Sequence, residues 1–211
     1  MTEIAPSLFR GNAPWLRLPL AEDLSDVDGW AREAAHLVAE AQGFTDDKDA
    51  LERVTFGLRQ LVEIEALPGF VGRVLFAPDI NDGSIVVHLT VAAVQADSVS
   101  DQRALLGIDD VEASADINGQ VDDLRALGVE GYQILRVDEM AAIHPPPGET
   151  SNVKVLAATL STVVRREVPG LGVVDVVALT QSTELVIVFA ALVPIIDLLL
   201  GDDLMHVLGG A

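Results

Sequence analysis

Few residues of this chain have the chemistry of catalysis or metal binding, and those few lie far apart. The 211 residues include no Cys, one Tyr and four His, at positions 36, 88, 144 and 206. Nucleophiles, general bases and transition-metal ligands come mostly from these residue types, and they act when they are close together. The sequence therefore predicts no catalytic residue, no metal site and no cofactor, and it favours a protein that is not an enzyme.

Three short motifs resemble functional ones, but each lacks a required part. Asp79-Ile-Asn-Asp-Gly83 begins like a calcium loop, yet the position that should hold a bidentate Glu is Thr90. Ser151-Asn-Val-Lys154 has the spacing of a Ser–Lys pair but leads into a strand pattern, and Gly170-Leu-Gly172 lacks the third glycine of a dinucleotide loop. We interpret the first and third as turns and the second as chance.

One polar pocket is an alternative to a purely structural interpretation. His88 shares a strand face with Ser84 and Thr90 in the alternating pattern. If Arg136 on a neighbouring strand points the same way, the two could line a pocket for a small ligand or an unrecognised reaction. The competing interpretation is a half-exposed histidine of a sheet.

The charge of the chain excludes several classes of partner. The net charge is −20, from 33 acidic and 13 basic residues, and residues 61–150 are the most acidic part. Such a charge repels phosphate backbones and anionic membranes, so we expect neither nucleic acid nor a membrane as partner. Eleven of the basic residues are Arg, a usage typical of GC-rich bacterial genomes, and the start has no basic or apolar targeting segment. We expect a bacterial, cytoplasmic protein.

The periodicity of apolar residues changes along the chain. A helical period follows Ser25 and again follows Thr45, whereas residues 70–77 and 84–96 alternate as the strands of a hairpin. Residues 132–140 form a further predicted strand. The segments 153–168, 172–181 and 185–193 have the spacing of a meander, and 194–208 form an apolar helix. The apolar run at 185–200 contains Pro194 and Asp197 and is too short for a membrane span.

These elements predict an α+β fold with a largely antiparallel sheet, on which N-terminal helices and a C-terminal helix pack. We expect a single domain over residues 1–211. Within it, residues 97–128 form an acidic insert with a short helix capped by Asn118, and residues 144–150 form a proline-rich loop.

The last third of the chain resembles the PsbP-like α+β domains, including small actinobacterial proteins of that fold. The similarity lies in the meander 153–193, in the turn Gln181-Ser-Thr-Glu184 before Leu185-Val-Ile-Val-Phe189, and in the closing helix. It implies an antiparallel sheet flanked by helices and a binding or accessory role, with no catalytic residue. The acidic insert 97–128 departs from that family.

The C-terminal helix suggests an interface, because its apolar residues surround most of its circumference. A helix on one sheet face needs an apolar stripe of only about 100°. Intrachain burial is one explanation, and contact with a second copy or another protein is the other. The residues that we assign to such an interface are Ile195, Ile196, Leu199, Leu200, Leu204 and Val207.

The favoured function is that of a non-enzymatic accessory or interaction protein of a bacterial secretion system or another multi-subunit assembly, with a protein partner or a homo-oligomer. Two alternatives stay open. The first is a small-ligand-binding domain or enzyme with the pocket near His88 and Arg136, and the second is a structural subunit of an assembly.

Overall fold

The computed structural model describes residues 6, 8–10, 14–65, 69–79, 83–94, 99–113, 119–141, 154–202 and 204–207. They form an α+β fold of antiparallel strands with helices packed against them, which confirms the predicted fold class. Two compact units divide the chain, one made of Met1–Thr90 and Gly201–Ala211, the other of Val91–Leu200. Two such units can belong to one domain or to two, so the single domain stays a prediction. The proline-rich loop at 144–150 lies outside the described residues.

The described part of the first unit contains four strands of the sheet, three α-helices and a 3-10 helix at Ala21–Asp23. Neighbouring strands of this sheet are antiparallel and follow chain order. The strands are β1 (Leu8–Arg10), β2 (Pro14–Arg17), β3 (Gly72–Asp79) and β4 (Gly83–Ala93), and the helices are α1 (Val27–Gln42), α2 (Lys48–Glu63) and α7 (Leu204–Val207). The boundary between the units falls inside β4, after Thr90. The β3–β4 pair confirms the predicted hairpin, whose turn residues 80–82 lie outside the described residues.

Acidic caps set where α1 and α2 begin. The Asp26 side chain accepts a hydrogen bond from the Gly29 backbone N–H at 2.8 Å, and Asp47 accepts one from Ala50 at 2.9 Å. Both carboxylates lie at the positive end of a helix dipole, so they stabilise these ends. The predictions placed the starts too early, at Ser25 and Thr45. Gly43, with a φ of 77°, ends α1.

The core of the first unit lies between these two helices and one face of the sheet. The helices contribute Ala31, Ala34 and Leu58, and the sheet contributes Leu16 and Leu75. These small and branched side chains allow the close approach that a core with few aromatic residues requires.

The second unit repeats the arrangement with another four strands. They run antiparallel in the order β8, β7, β6, β5. Its strands are β5 (Gly119–Asp123), β6 (Gly131–Ala141), β7 (Lys154–Val168) and β8 (Gly172–Ser182), and its helices are α3 (Val99–Leu106), α4 (Ile108–Ala113), α5 (Leu185–Ala190) and α6 (Leu192–Leu200). The first two strands of the predicted meander are confirmed as β7 and β8. The acidic insert contains α3, α4, the unpredicted β5 and a 3-10 helix at Leu124–Leu127. Asp123, not Asn118, caps that helix.

The third predicted strand, at 185–193, is wrong because this segment is helical. Its β-branched residues favour a strand locally, but Ile187 and Val188 are buried on β7 and β8 while Val186 and Phe189 point outward. The backbone N–H groups of Ile187 and Val188 both bond to the Glu184 carbonyl, so the run satisfies its own backbone. Tertiary burial therefore outweighs strand propensity here.

The predicted closing helix is interrupted. α6 ends at Leu200, and α7 begins only at Leu204. Gly201 and Asp202 lie in this break, and both residue types have low helix propensity. α6 packs on β7 and β8, and α7 packs on β3.

Candidate functional site

Three of the predicted interface residues on α6 are core residues of the second unit. Ile195 and Leu199 are fully buried and Ile196 nearly so, whereas Leu200 is 42% exposed. Only Leu200 among these four is therefore open to a partner.

The other two predicted interface residues lie on α7 in the first unit, and both are buried. A Cβ added at Gly72 of β3 would lie 3.1 Å from the Val207 Cγ1, so α7 packs closely against this strand. Leu204 and Val207 thus serve the core. An interface through the six predicted residues stays a prediction.

A different set of side chains on α5 and α6 does face solvent. We call it the outer stripe: Val186, Phe189, Ala190, Val193, Asp197 and Leu200. Its members follow one another at intervals that keep them on one side of a helix. Val186 is 78% exposed and Val193 is 64% exposed, and Asp197 is the stripe's one charged residue. The solvent side of these helices is therefore apolar, whereas that of an ordinary surface helix is polar.

The spacing of the outer stripe is present in the sequence, but the strand predicted at 185–193 hides it. Residues 185–193 were interpreted as a strand, and a strand places Val186 and Phe189 on opposite faces. The structure exposes Val186 and Phe189 of α5 and Val193 of α6.

In the first unit, a buried arginine binds the backbone carbonyls at the C-terminal end of α2. The Arg73 guanidinium on β3 donates three short hydrogen bonds to backbone carbonyls, those of Pro19 at 2.6 Å, Ile64 at 2.8 Å and Leu61 at 3.2 Å, and a longer one to the Val62 carbonyl at 3.5 Å. Helices leave their last carbonyls without intrahelical partners, and a cation there also opposes the helix dipole favourably. Burial lowers the pKa of Arg73. This side chain joins β3, α2 and the segment after β2, which is a structural role.

His88 lies directly across from Arg73 in the β3–β4 register. Its ring packs edge-on against Phe70, with centroids 5.3 Å apart, and its buried Nδ1 has no hydrogen-bond partner among the described residues. Burial, followed by the Arg73 charge, lowers the pKa of His88. The histidine is therefore held in its neutral form.

Arg136 belongs to the second unit, on β6. It forms an ion pair with Asp138 at 3.2 Å, and its buried Nε has no hydrogen-bond partner in the part of the chain that the structure describes. His88 and Arg136 belong to different units. The pocket that would combine them stays a prediction.

A buried carboxylate organises the other polar cluster of the second unit. Asp175 on β8 is 1% exposed and accepts two hydrogen bonds from Arg165, at 2.8 and 3.0 Å, and one from Gln102 at 2.8 Å. Arg165 also pairs with Glu130 at 3.1 Å, and its hydrogen bonds to Asp175 raise the pKa of Arg165. A bidentate pair with a further donor satisfies the buried charge. The cluster therefore joins α3 to the sheet and offers no free charge.

The neighbouring Tyr132 has a guanidinium on each of two helices beside it. Arg103 and Arg125 lie 5.7 and 5.5 Å from the ring centroid, in the range of cation–π contacts. Asp109 and Asp123 bind these two arginines at 2.8 and 2.7 Å. A polar cleft of about 350 Å³ opens here, but the cations beside it are already paired.

The short motifs serve as structural elements where the structure describes them. Gly170 and Gly172 have positive φ and form the β7–β8 turn, as predicted. Lys154 begins β7 and pairs with Glu139 at 2.7 Å, while Ser151 and residues 80–82 lie outside the described ranges. Within those ranges, no group of three His, Asp or Glu side chains is placed to hold a metal ion, and no helix is long and apolar enough to cross a membrane.

No protein-family model, no curated protein and no solved structure matches this chain. The resemblance to PsbP-like domains therefore stays a prediction.

Proposed function

We propose that this chain is a non-enzymatic interaction protein that binds another protein through the outer stripe of α5 and α6. The observation that carries the proposal is the apolar character of that solvent-facing side. Exposed apolar surface of this kind marks interaction sites, since leaving it in water is unfavourable. Val186, Phe189 and Val193 would lie at the centre of the contact.

The charges around the outer stripe favour a particular kind of partner. Glu184, Asp197 and Asp202 are exposed near it, and residues 183–202 contain no Lys or Arg. Two copies of the chain would bring like charges together at the rim, which is unfavourable. The partner is therefore a different protein with an apolar patch and a basic rim. A chain that binds such a partner would be a subunit of a larger assembly, such as a secretion system, in the bacterial cytoplasm.

The proposal is tested by placing a charge in the stripe. Val193→Glu changes an exposed side chain, so we expect folding to be unaffected while the apolar contact is lost. Leu127→Glu is the matched control, since Leu127 is 70% exposed in the same unit but lies outside the stripe. A partner should co-purify with the wild type and with Leu127→Glu, and not with Val193→Glu. The recovered partner is then purified and titrated against all three proteins, with thermal melting as the folding check.

Two results would contradict the proposal. Val193→Glu could bind the purified partner as tightly as the wild type, which would place the interface elsewhere. Alternatively, sedimentation could show a wild-type dimer that Val193→Glu converts to a monomer, which would make the partner a second copy.

A further inference from the structure

The first unit has an apolar groove beside α2 that no side chain of the described residues fills. Its volume is about 280 Å³, and it opens between α2 and the β3–β4 hairpin. Val54, Leu58 and Leu61 of α2 and Leu75 of β3 line it, together with Gly57 and Arg53. We call this cavity the α2 groove. The α2 groove and the outer stripe belong to different units, so a ligand of the groove does not depend on the proposed function.

Gly57 shapes the wall of the α2 groove. It lies in the interior of a 16-residue helix, where glycine is unfavourable compared with alanine. A Cβ built at this position would meet no atom within 4 Å, and the residue has no positive φ. Neither close packing nor backbone conformation therefore requires a glycine here. Its effect is to keep the groove open.

Arg53 supplies a cation at the same groove. It lies one helical turn before Gly57, is exposed, and makes no hydrogen bond or ion pair with the part of the chain that the structure describes. In a chain with a net charge of −20, a guanidinium without a carboxylate partner is available for an anion from outside. A guanidinium binds a carboxylate through two parallel hydrogen bonds.

The dimensions of the α2 groove limit the size of what it can hold. A cavity of about 150 Å³ holds a benzene ring, so 280 Å³ has room for an apolar group on the order of ten carbon atoms. Ligand sites of this kind combine an apolar wall with a few polar groups that orient the ligand.

We propose that the α2 groove binds a free, medium-chain amphiphile with one carboxylate. The apolar chain lies along Leu61 and Gly57, with the buried Val54, Leu58 and Leu75 beneath it, and the carboxylate binds Arg53. The fit of the chain gives affinity, because it removes apolar surface from water. The single cation selects a carboxylate over a neutral or cationic head.

The proposal is tested by calorimetric titration of the full chain with decanoate below its micelle concentration, with decanol as the neutral probe. The wild type should bind decanoate saturably at one per chain. Arg53→Gln should weaken decanoate binding by about tenfold and leave decanol binding unchanged. Lys48→Gln is the matched control, because Lys48 is an exposed cation of the same helix that does not line the groove. It should bind like the wild type.

A second pair of variants fills the groove. Gly57→Leu should reduce the affinity for both probes by at least about tenfold, because its side chain occupies the space of the ligand. Gly57→Ala should reduce it less while raising the melting temperature, and this variant keeps the test decisive if Gly57→Leu does not fold.

Several results would overturn the proposal. Wild-type protein could fail to bind decanoate saturably, or Gly57→Leu and Gly57→Ala could bind it unchanged. Arg53→Gln could weaken the binding of decanol and of decanoate equally, which would show that Arg53 does not bind the carboxylate. Binding of decanoate-containing vesicles without binding of the monomer would show membrane association, and a wild-type dimer that Gly57→Leu dissociates would assign the groove to a second copy.

Discussion

Arg73→Met removes the guanidinium that binds the carbonyls at the end of α2. The methionine keeps an unbranched aliphatic side chain at this position. The three carbonyls of Pro19, Leu61 and Ile64 then lose their donor in a buried position. Each must find water or stay unpaired, and an unpaired buried carbonyl is unfavourable. We expect the free energy of unfolding to fall.

The magnitude follows from the bonds that are lost. Hydrogen bonds from a charged donor contribute about 1.5 kcal/mol each at the low end of their range, so three contribute about 4.5 kcal/mol. The burial that lowers the pKa of Arg73 also means that its charge is costly to desolvate, and removing it returns part of this. The expected net loss is about 3 kcal/mol, which corresponds to a melting temperature lower by about 6–12 °C for a chain of this size.

The assay is urea denaturation of the wild type, Arg73→Met and Arg32→Met. Arg32 is the matched control, because its Nε donates to the Asp28 carbonyl at 3.1 Å on the exposed side of α1. Its substitution should change stability by less than about 0.5 kcal/mol. Arg73→Met could lower the free energy of unfolding by no more than Arg32→Met does. Water would then satisfy the carbonyls, and the structural role assigned to Arg73 would be refuted.

Two further predictions concern buried charged or titratable groups. Since burial lowers the pKa of His88 below its ordinary value of 6.5, its contribution to stability is complete above that pH and is lost as the pH falls through the folded-state pKa. Wild-type stability in urea should therefore decrease more between pH 7.5 and 5.5 than that of His88→Gln, and equal decreases would contradict this. Asp175→Ala should cost about 3–5 kcal/mol, because it removes the buried carboxylate that binds Arg165. Glu130→Ala removes only the exposed carboxylate of that arginine and should cost about 0–1 kcal/mol, so equal costs in chemical denaturation would refute the assignment.

The amphipathic patterns of the sequence determined most of the secondary structure. The helical period in residues 27–42 and 48–63 and the alternation on both sides of the hairpin at 80–82 correspond to α1, α2, β3 and β4. In α1, α2 and β4 one face is more buried than the other, so the local sequence carries the period, whereas β3 is buried on both faces from Arg73 to Ala77. The same reasoning predicted β6, β7 and β8, and with them the fold class.

The C-terminal segment shows where local pattern is insufficient. Its residues are apolar almost throughout, so neither a period of two nor one of 3.6 can be distinguished, and the strand interpretation of 185–193 was wrong. Which apolar residues face outward is decided by the sheet that α5 and α6 cover. The interface predicted from the sequence includes Ile195 and Leu199, which the structure buries, whereas Val186 and Val193 are exposed.

Single polar residues show the same division between sequence and tertiary structure. By itself the sequence determined that Arg73 and Asp175 lie in otherwise apolar strands. Only the tertiary structure decided that Arg73 meets the carbonyl end of α2 and that Asp175 meets Arg165 and Gln102. Gly57 is likewise an ordinary helix glycine in the sequence, and its open surroundings exist only once α2 lies on the hairpin. Periodicity is a local property that the chain carries along its length, whereas the partner of a buried charge depends on segments that folding brings together.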